Sequence, residues 1–224
     1  MLLAETHCHT AEVSLCGRVL AAEIPALYKS SGYGLIVCTD HYNYWTLAEL
    51  GVDRATQIDR WLSGYRAMKQ AGEDTGITVL LGMELALPGF SGELLLYGLC
   101  EEFLFQNPEL CMWTLEQVCQ MAREEGLLVY QAHPFRDNME RAPAELLHGV
   151  EVYNGNRRHN SRNELAEEHA ARHGLRRIAG SDFHQLEDLA RGGIWLPDAI
   201  SDNKELVAIL SDHNPALFMA PPAL

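Results

Sequence analysis

Short apolar runs in this chain repeatedly end in histidine or an acid, and that recurrence restricts the fold more than any other feature. Leu2-Leu3-Ala4 leads into His7-Cys8-His9, residues 34–39 into Asp40-His41, and residues 77–81 into Gly82-Met83-Glu84. Residues 127–131 lead into Ala132-His133, and residues 176–179 into Gly180-Ser181-Asp182-Phe183-His184. Such runs, bounded by polar residues and glycine, read as buried strands. Helical spacing predicts helices over 21–31, 53–72, 114–126, 161–173 and 202–210, with Gly32 and Gly126 as stops and Thr114/Gln117 as a capping box. Further strands are expected over 92–98, 149–153, 193–196 and 216–220. Strand and helix alternate without an internal repeat or linker, which predicts one α/β domain over residues 1–224. In a parallel α/β barrel every strand C-terminus opens at the same face, so side chains distant in sequence meet there.

The residues at those ends share a chemistry. Of ten histidines, five (His7, His9, His41, His133 and His184) fall just after apolar strands, and Asp40, Glu84 and Asp182 accompany them. Residues two apart on a strand point to one side, so His7/His9 and Asp182/His184 each present a pair of donors together. Imidazole and carboxylate donors in this number exceed what one cation needs, which implies two or three divalent ions, with zinc, manganese or iron all compatible. Bound water would then ionise near neutral pH and serve as the nucleophile, and paired ions would stabilise a phosphoryl leaving oxygen. Glu84 is the natural bridge between ions. Arg136, three residues past His133, is placed to fork onto a phosphate, with Arg18 a weaker choice. Arg136 and Asp40 are the candidate catalytic residues outside the ligand set. His169 and His173, four apart on a polar helix, lack the glutamate of an H-E-x-x-H protease and read as a solvated face.

The balance of 17 Lys+Arg against 31 Asp+Glu gives a formal net charge of −14, which argues against a nucleic-acid surface. No run approaches the roughly 18 apolar residues of a membrane span. The N-terminus shows no basic flank or cleavage site, and the six cysteines form no C-x-x-C pair. A cytoplasmic protein with reduced thiols is expected.

The motifs His7-Cys8-His9-Thr10, Thr39-Asp40-His41, Gly82-Met83-Glu84, Ala132-His133-Pro134, Gly149-Val150-Glu151-Val152-Tyr153-Asn154 and Gly180-Ser181-Asp182-Phe183-His184 resemble, in order, those of the PHP (polymerase and histidinol phosphatase) family. The resemblance implies a distorted seven-stranded (β/α) barrel, similar to a TIM barrel, holding up to three metal ions. It assigns His7, His9, Glu84 and Asp182 to one ion, Glu84 and His133 to a second, and His41 and His184 to a third. Two positions depart from the family. An aspartate or histidine five or six residues after the second histidine is replaced by Ser14 and Leu15, with Glu12 as a substitute. The second ion's further histidine is missing near 93–100, where Glu93 is preferred over Cys100. Glu151 is expected behind the ligands. The implied activity is hydrolysis of a small phosphorylated metabolite; amide hydrolysis and a metal-binding regulatory barrel without turnover are the alternatives.

Overall fold

The structure, a computed structural model, describes residues 1–197 and 200–221. Its elements in order are β1 (Leu2–Cys8), α1 (Ile24–Ser30), β2 (Leu35–Cys38), β3 (His41–Tyr42), α2 (Tyr44–Leu50) and α3 (Arg54–Thr75). There follow β4 (Thr78–Leu87), β5 (Phe90–Tyr97), α4 (Glu101–Gln106), α5 (Leu115–Glu125), β6 (Leu128–Gln131) and β7 (Gly149–Asn154). The chain ends with α6 (Asn163–His173), β8 (Arg176–Gly180), β9 (Gly192–Leu196), α7 (Asn203–Asp212) and β10 (Ala216–Met219). The capping box of α5 forms as its sequence predicts, with Thr114 and Gln117 exchanging bonds and Gly126 closing the helix at φ 69°.

The strands run β10-β9-β1-β2-β4-β5-β6-β7-β8, with β3 added on β4. The far edge returns to β1: Cys8 bridges Phe183 in parallel, and the Thr6 hydroxyl donates to the Ala179 carbonyl at 2.9 Å. The result is a nearly closed α/β barrel whose sheet has ten strands against the seven expected. The surplus consists of the two-residue β3 and of β9 and β10, which extend the sheet antiparallel from the first half of β1.

Three further expectations need correction. The sheet is not wholly parallel, because β5 runs antiparallel to both β4 and β6. The strand expected to stop at residue 81 continues to Leu87, so Glu84 lies within β4. The segment 42–51, where no helix is expected from the sequence, contains α2; the Asn43 side chain caps it by accepting from the Thr46 N–H at 2.9 Å.

Apolar side chains divide between the inside and outside of the ring. Ala4, Leu35, Val37, Leu80, Leu95 and Tyr97 pack inward at one end, where Leu206 and Leu210 of α7 close the barrel. On β4, Leu81, Met83, Leu85 and Leu87 face outward onto the surrounding helices. Strict alternation then turns Leu80, Gly82, Glu84 and Ala86 inward. β1 breaks its own alternation. Leu3 and Cys8 both pack outside and Ala4 packs inside, because the register with β2 shifts between Glu5 and Cys8. This bulge reverses the phase of the strand, so that His7 and His9 enter the barrel.

Candidate metal centre

The inward-facing ligands collect above the apolar floor, at the end of the barrel opposite α7. His7 and His9 come from the bulged end of β1 and Glu84 from the inner face of β4. Glu93 lies in the first half of β5 and pairs with Ala86 across the ladder. It reaches the same mouth as the ends of the other strands because β5 is reversed. His133 and Asp182 follow β6 and β8 with φ of 25° and 51°, conformations uncommon for residues with a Cβ. Strain of this kind persists where neighbours enforce it. Here the Glu151 carboxylate accepts the His133 N–H at 3.0 Å, and Asn156 donates to the Asp182 carbonyl at 3.1 Å.

Four imidazoles converge on Glu84. Oε1 lies 3.0 Å from His133 Nε2 and 3.2 Å from His7 Nε2; Oε2 lies 2.8 Å from His41 Nδ1 and 3.3 Å from His9 Nε2. Asp182 Oδ1 stands 3.5 Å from both His7 Nε2 and His9 Nε2. Glu93 is 3.6 Å from His133 and 3.8 Å from His41. His184 stacks on His9 with centroids 4.2 Å apart. Four overlapping groups each place their donor atoms within 4.8 Å of one another: His7/His9/Asp182, His7/Glu84/His133, His41/Glu84/Glu93 and His9/His41/His184. All eight expected ligands are thus brought together.

Hydrogen bonds behind the cluster orient the rings. Glu151 Oε1 accepts from His7 Nδ1 at 2.9 Å, in the supporting position expected of it. The Ser14 hydroxyl gives its proton to Asp40 at 2.7 Å, so at 3.1 Å from His9 Nδ1 it is the acceptor. The Asp182 carbonyl accepts from His184 Nδ1 at 2.9 Å. In each case the proton is held on Nδ1 and the Nε2 lone pair is left for the interior, which is how metal-binding imidazoles are prepared.

The electrostatics are unresolved by protein atoms alone. Burial works against charge on His7 and His41, yet Glu84 and the acids beside it lift both well above the usual imidazole range. Burial, reinforced by His184 and His41, pushes His9 well below it. Burial would raise Glu84 and Asp182, but the surrounding imidazoles hold both well below the usual carboxylate range. Among the described residues, His7 Nε2, His9 Nε2, Glu84 Oε2 and His133 Nδ1 are buried without a hydrogen-bond partner. Orphaned inward donors of mixed nitrogen and oxygen type fit zinc, manganese or iron.

Other sequence candidates sort themselves by position. Arg136 reaches the site but is engaged: its Nη2 bonds Asp182 Oδ2 at 2.7 Å and Asn154 Oδ1 at 3.1 Å. It therefore aims Asp182 at the imidazoles instead of standing free as a phosphate fork. Asp40 is saturated as well, accepting from the Thr10 N–H, the Thr10 hydroxyl and the Ser14 hydroxyl, each at 2.7 Å. It ties the first loop behind His9 and exposes no free oxygen for proton transfer. Glu12 spends its carboxylate on the Ala21 N–H at 2.9 Å, and exposed Cys100 sits beyond the opposite end of β5, so neither joins the cluster. Arg18 is exposed on the loop, with its backbone N–H on the His184 carbonyl. His169 and His173 lie against each other with tilted rings, and His169 packs edge-on to Phe135, outside the cluster. His169→Ala should leave metal content and turnover within about twofold, measured side by side with the unaltered protein.

Two participants escaped the sequence reading. Buried Glu5 accepts from the His7 N–H, the Ser181 N–H and the Tyr28 hydroxyl at 2.8–2.9 Å, clamping β1 to the end of β8. Burial raises its carboxyl to about 7. Cys16 lies against His184 and His41; burial opposes ionisation, yet the two imidazoles bring the thiol down to about 6. The only available signal was the proximity of Cys16 to the two histidines at the head of the chain, since nothing in the loop sequence fixes where its sulfur points.

A family model described as PHP-associated matches residues 160–213. No curated protein matches the sequence. Among solved structures, the fold is similar to a two-domain protein from Bacteroides vulgatus containing a predicted PHP-like metal-dependent phosphoesterase, with TM-score 0.69 and 17% identity over 97% of this chain. The match spans 64% of that protein, less than two thirds of its length. An amidohydrolase from Chromobacterium violaceum, described with bound sulfate and no metal, gives TM-score 0.57 and 17% identity over 96% of this chain and 97% of its own. The lesion-specific endonuclease PfuEndoQ from Pyrococcus furiosus gives TM-score 0.63 and 15% identity over 96% of this chain and 57% of its own. The PHP-associated match is confined to residues 160–213, and the solved structures, at 15–17% identity, show a shared fold.

Proposed function

We propose that this protein is a metal-dependent phosphoesterase that hydrolyses a small phosphorylated metabolite. The observation that carries the reading is the convergence of four imidazoles on the single carboxylate of Glu84, with inward-facing donors left orphaned. His7, His9, Glu84 and Asp182 would hold one ion, Glu84, His133 and Glu93 a second, and His41 and His184 a third. What divalent ions supply in such a site is Lewis acidity, which stabilises charge on phosphoryl oxygens and makes a water acidic near neutral pH. The chain's own contribution is preorganisation. Glu151, Ser14 and the Asp182 carbonyl fix the imidazole tautomers, Arg136 aims Asp182, and the apolar floor beneath Tyr97 and Leu80 keeps the donors from bulk water.

A pocket beside β4 supports a small substrate. A largely apolar cavity of about 440 Å³, lined by Asn43, Tyr44, Trp45, Ala86, Leu87, Pro88, Cys111 and Met112, opens along β4 just past Glu84. That volume suits a small molecule. The net charge of −14 disfavours a polynucleotide, and among the described residues no helix is long and apolar enough to cross a membrane. The six free cysteines accord with a cytoplasmic setting.

The test is metal analysis of purified protein, followed by a panel of phosphomonoesters, phosphodiesters, oligonucleotides and amides. Two or three ions per chain and phosphate release from small esters are expected. Turnover confined to amides or to oligonucleotides would replace the reading, and full metal loading with no turnover would favour a regulatory barrel.

A further inference from the structure

We propose that the ester hydrolysed at this centre carries an uncharged aromatic group on its alcohol side, seated in the cavity that Tyr44, Trp45 and Met112 frame beside β4. The inference rests on the phosphoesterase reading above and names the substrate class within it.

Two strands aim the cavity at the metal centre. β3 and β4 pair in parallel with His41 opposite Glu84, and the two side chains meet at 2.8 Å inside the site. Two residues further along each strand, Asn43 and Ala86 line the cavity. Asn43 keeps an extended backbone, φ −152° and ψ 169°, so strand alternation sets it on the side of His41, as it sets Ala86 on the side of Glu84. The cavity therefore begins about 7 Å beyond Glu84, one repeat of the ladder toward the mouth. Ala86 also pairs with Glu93, whose carboxylate lies 3.8 Å from His41. A phosphoryl group held among the ligands fills that interval, and the alcohol side of its ester emerges into the cavity.

The lining states what that group is. None of the eight residues around the cavity is charged. Asn43 supplies its one amide, and the amide oxygen is already taken by the Thr46 N–H at 2.9 Å. Tyr44, Trp45 and Met112 are 51%, 75% and 46% exposed, and the two rings meet edge to face with centroids 5.2 Å apart. Large apolar side chains gathered in the open around one cavity mark a ligand site, where scattered ones would not. Rings held this way offer a surface to a flat aromatic ligand. The volume of about 440 Å³ takes a group the size of benzene or naphthalene. A second phosphate or a row of hydroxyls would lose its water there without finding partners.

A second cavity at the mouth has the opposite character. It holds about 330 Å³, adjoins His184 through Gln185, and presents Arg18, Glu23 and Glu187. A polar alcohol such as glycerol would favour that side. Either way, hydrolysis adds one water across the phosphorus–oxygen bond and releases phosphate and the alcohol, with no redox change.

The experiment compares phenethyl phosphate with ethyl phosphate and glycerol phosphate on the metal-loaded full chain. The phenethyl and ethyl esters leave as similar alkoxides, so a difference in kcat/KM reports the cavity and not the leaving group. Phenethyl phosphate is expected to exceed ethyl phosphate about 10–100-fold in kcat/KM, the effect of burying a phenyl ring. Trp45→Ala should shrink that ratio about 3–10-fold, whereas His169→Ala should keep it. As a measurement free of turnover, phenethylphosphonate should bind about 10–100-fold more tightly than ethylphosphonate by calorimetry, with the margin reduced in Trp45→Ala. Equal kcat/KM for the phenethyl and ethyl esters, a preference for glycerol phosphate, or a margin untouched by Trp45→Ala would overturn the proposal and leave the phosphoesterase reading standing. If metal-loaded protein releases phosphate from none of the esters, both fall.

Discussion

Exchanging Glu84 for glutamine is expected to abolish activity and metal loading together. The substitution keeps the size of the side chain and removes one negative charge from among His7, His9, His41 and His133, which approach it within 2.8–3.3 Å. An amide offers one acceptor oxygen and an NH2 group that cannot bind a cation, so both the bridging charge and one donor oxygen are lost. Turnover should fall by about 10³-fold or more, a loss of about 4 kcal/mol in transition-state stabilisation. Ions per chain, measured by plasma mass spectrometry after gel filtration, should drop in parallel. If Glu84→Gln keeps full metal content and activity, the proposed ligand set is wrong.

Asp40 gives the second large effect, of a different kind. Because Thr10 and Ser14 already occupy its oxygens, Asp40→Ala should act on the fold and not on a proton transfer. Each buried donor left without its acceptor costs about 1–3 kcal/mol. With two such losses, Tm should fall by roughly 5–15 °C in a chain of this length. The Ser14 hydroxyl would also be freed to turn its proton toward His9, blurring the tautomer that Ser14 now enforces. Metal affinity should therefore weaken about 10–100-fold, while turnover per bound ion stays close to that of the unaltered protein. A variant with unchanged Tm and metal content but collapsed kcat would restore Asp40 as an acid or base in the reaction.

How these residues would meet was largely legible from the chain because it depends on strand ends. Apolar runs announce strands, and His133, Asp182 and His184 follow directly from that. The two least regular features were not legible. The bulge in β1 has no sequence signature in Glu5-Thr6-His7, yet without it Cys8 and not His7 would face the interior. The reversal of β5 depends on a turn at Pro88-Gly89, where Gly89 takes φ 79°, and that turn makes the start of the strand the end that matters. Two-apart spacing could propose that His7 and His9 share a side, but not which side. Likewise, its position three residues past His133 suggested an anion beside Arg136 without revealing that the anion is Asp182, 46 residues away. The contribution of Cys16 lay in a loop whose path is set by backbone bonds, which residue types alone do not encode.

With Leu206 and Leu210 stoppering one end of the barrel, the chamber is a cul-de-sac. Whatever reaches Glu84 arrives from the side of the segments that carry Cys16, Trp45 and Arg136. On the proposed reading, the residues around that opening, more than the ligands deep inside, would decide which molecules are admitted.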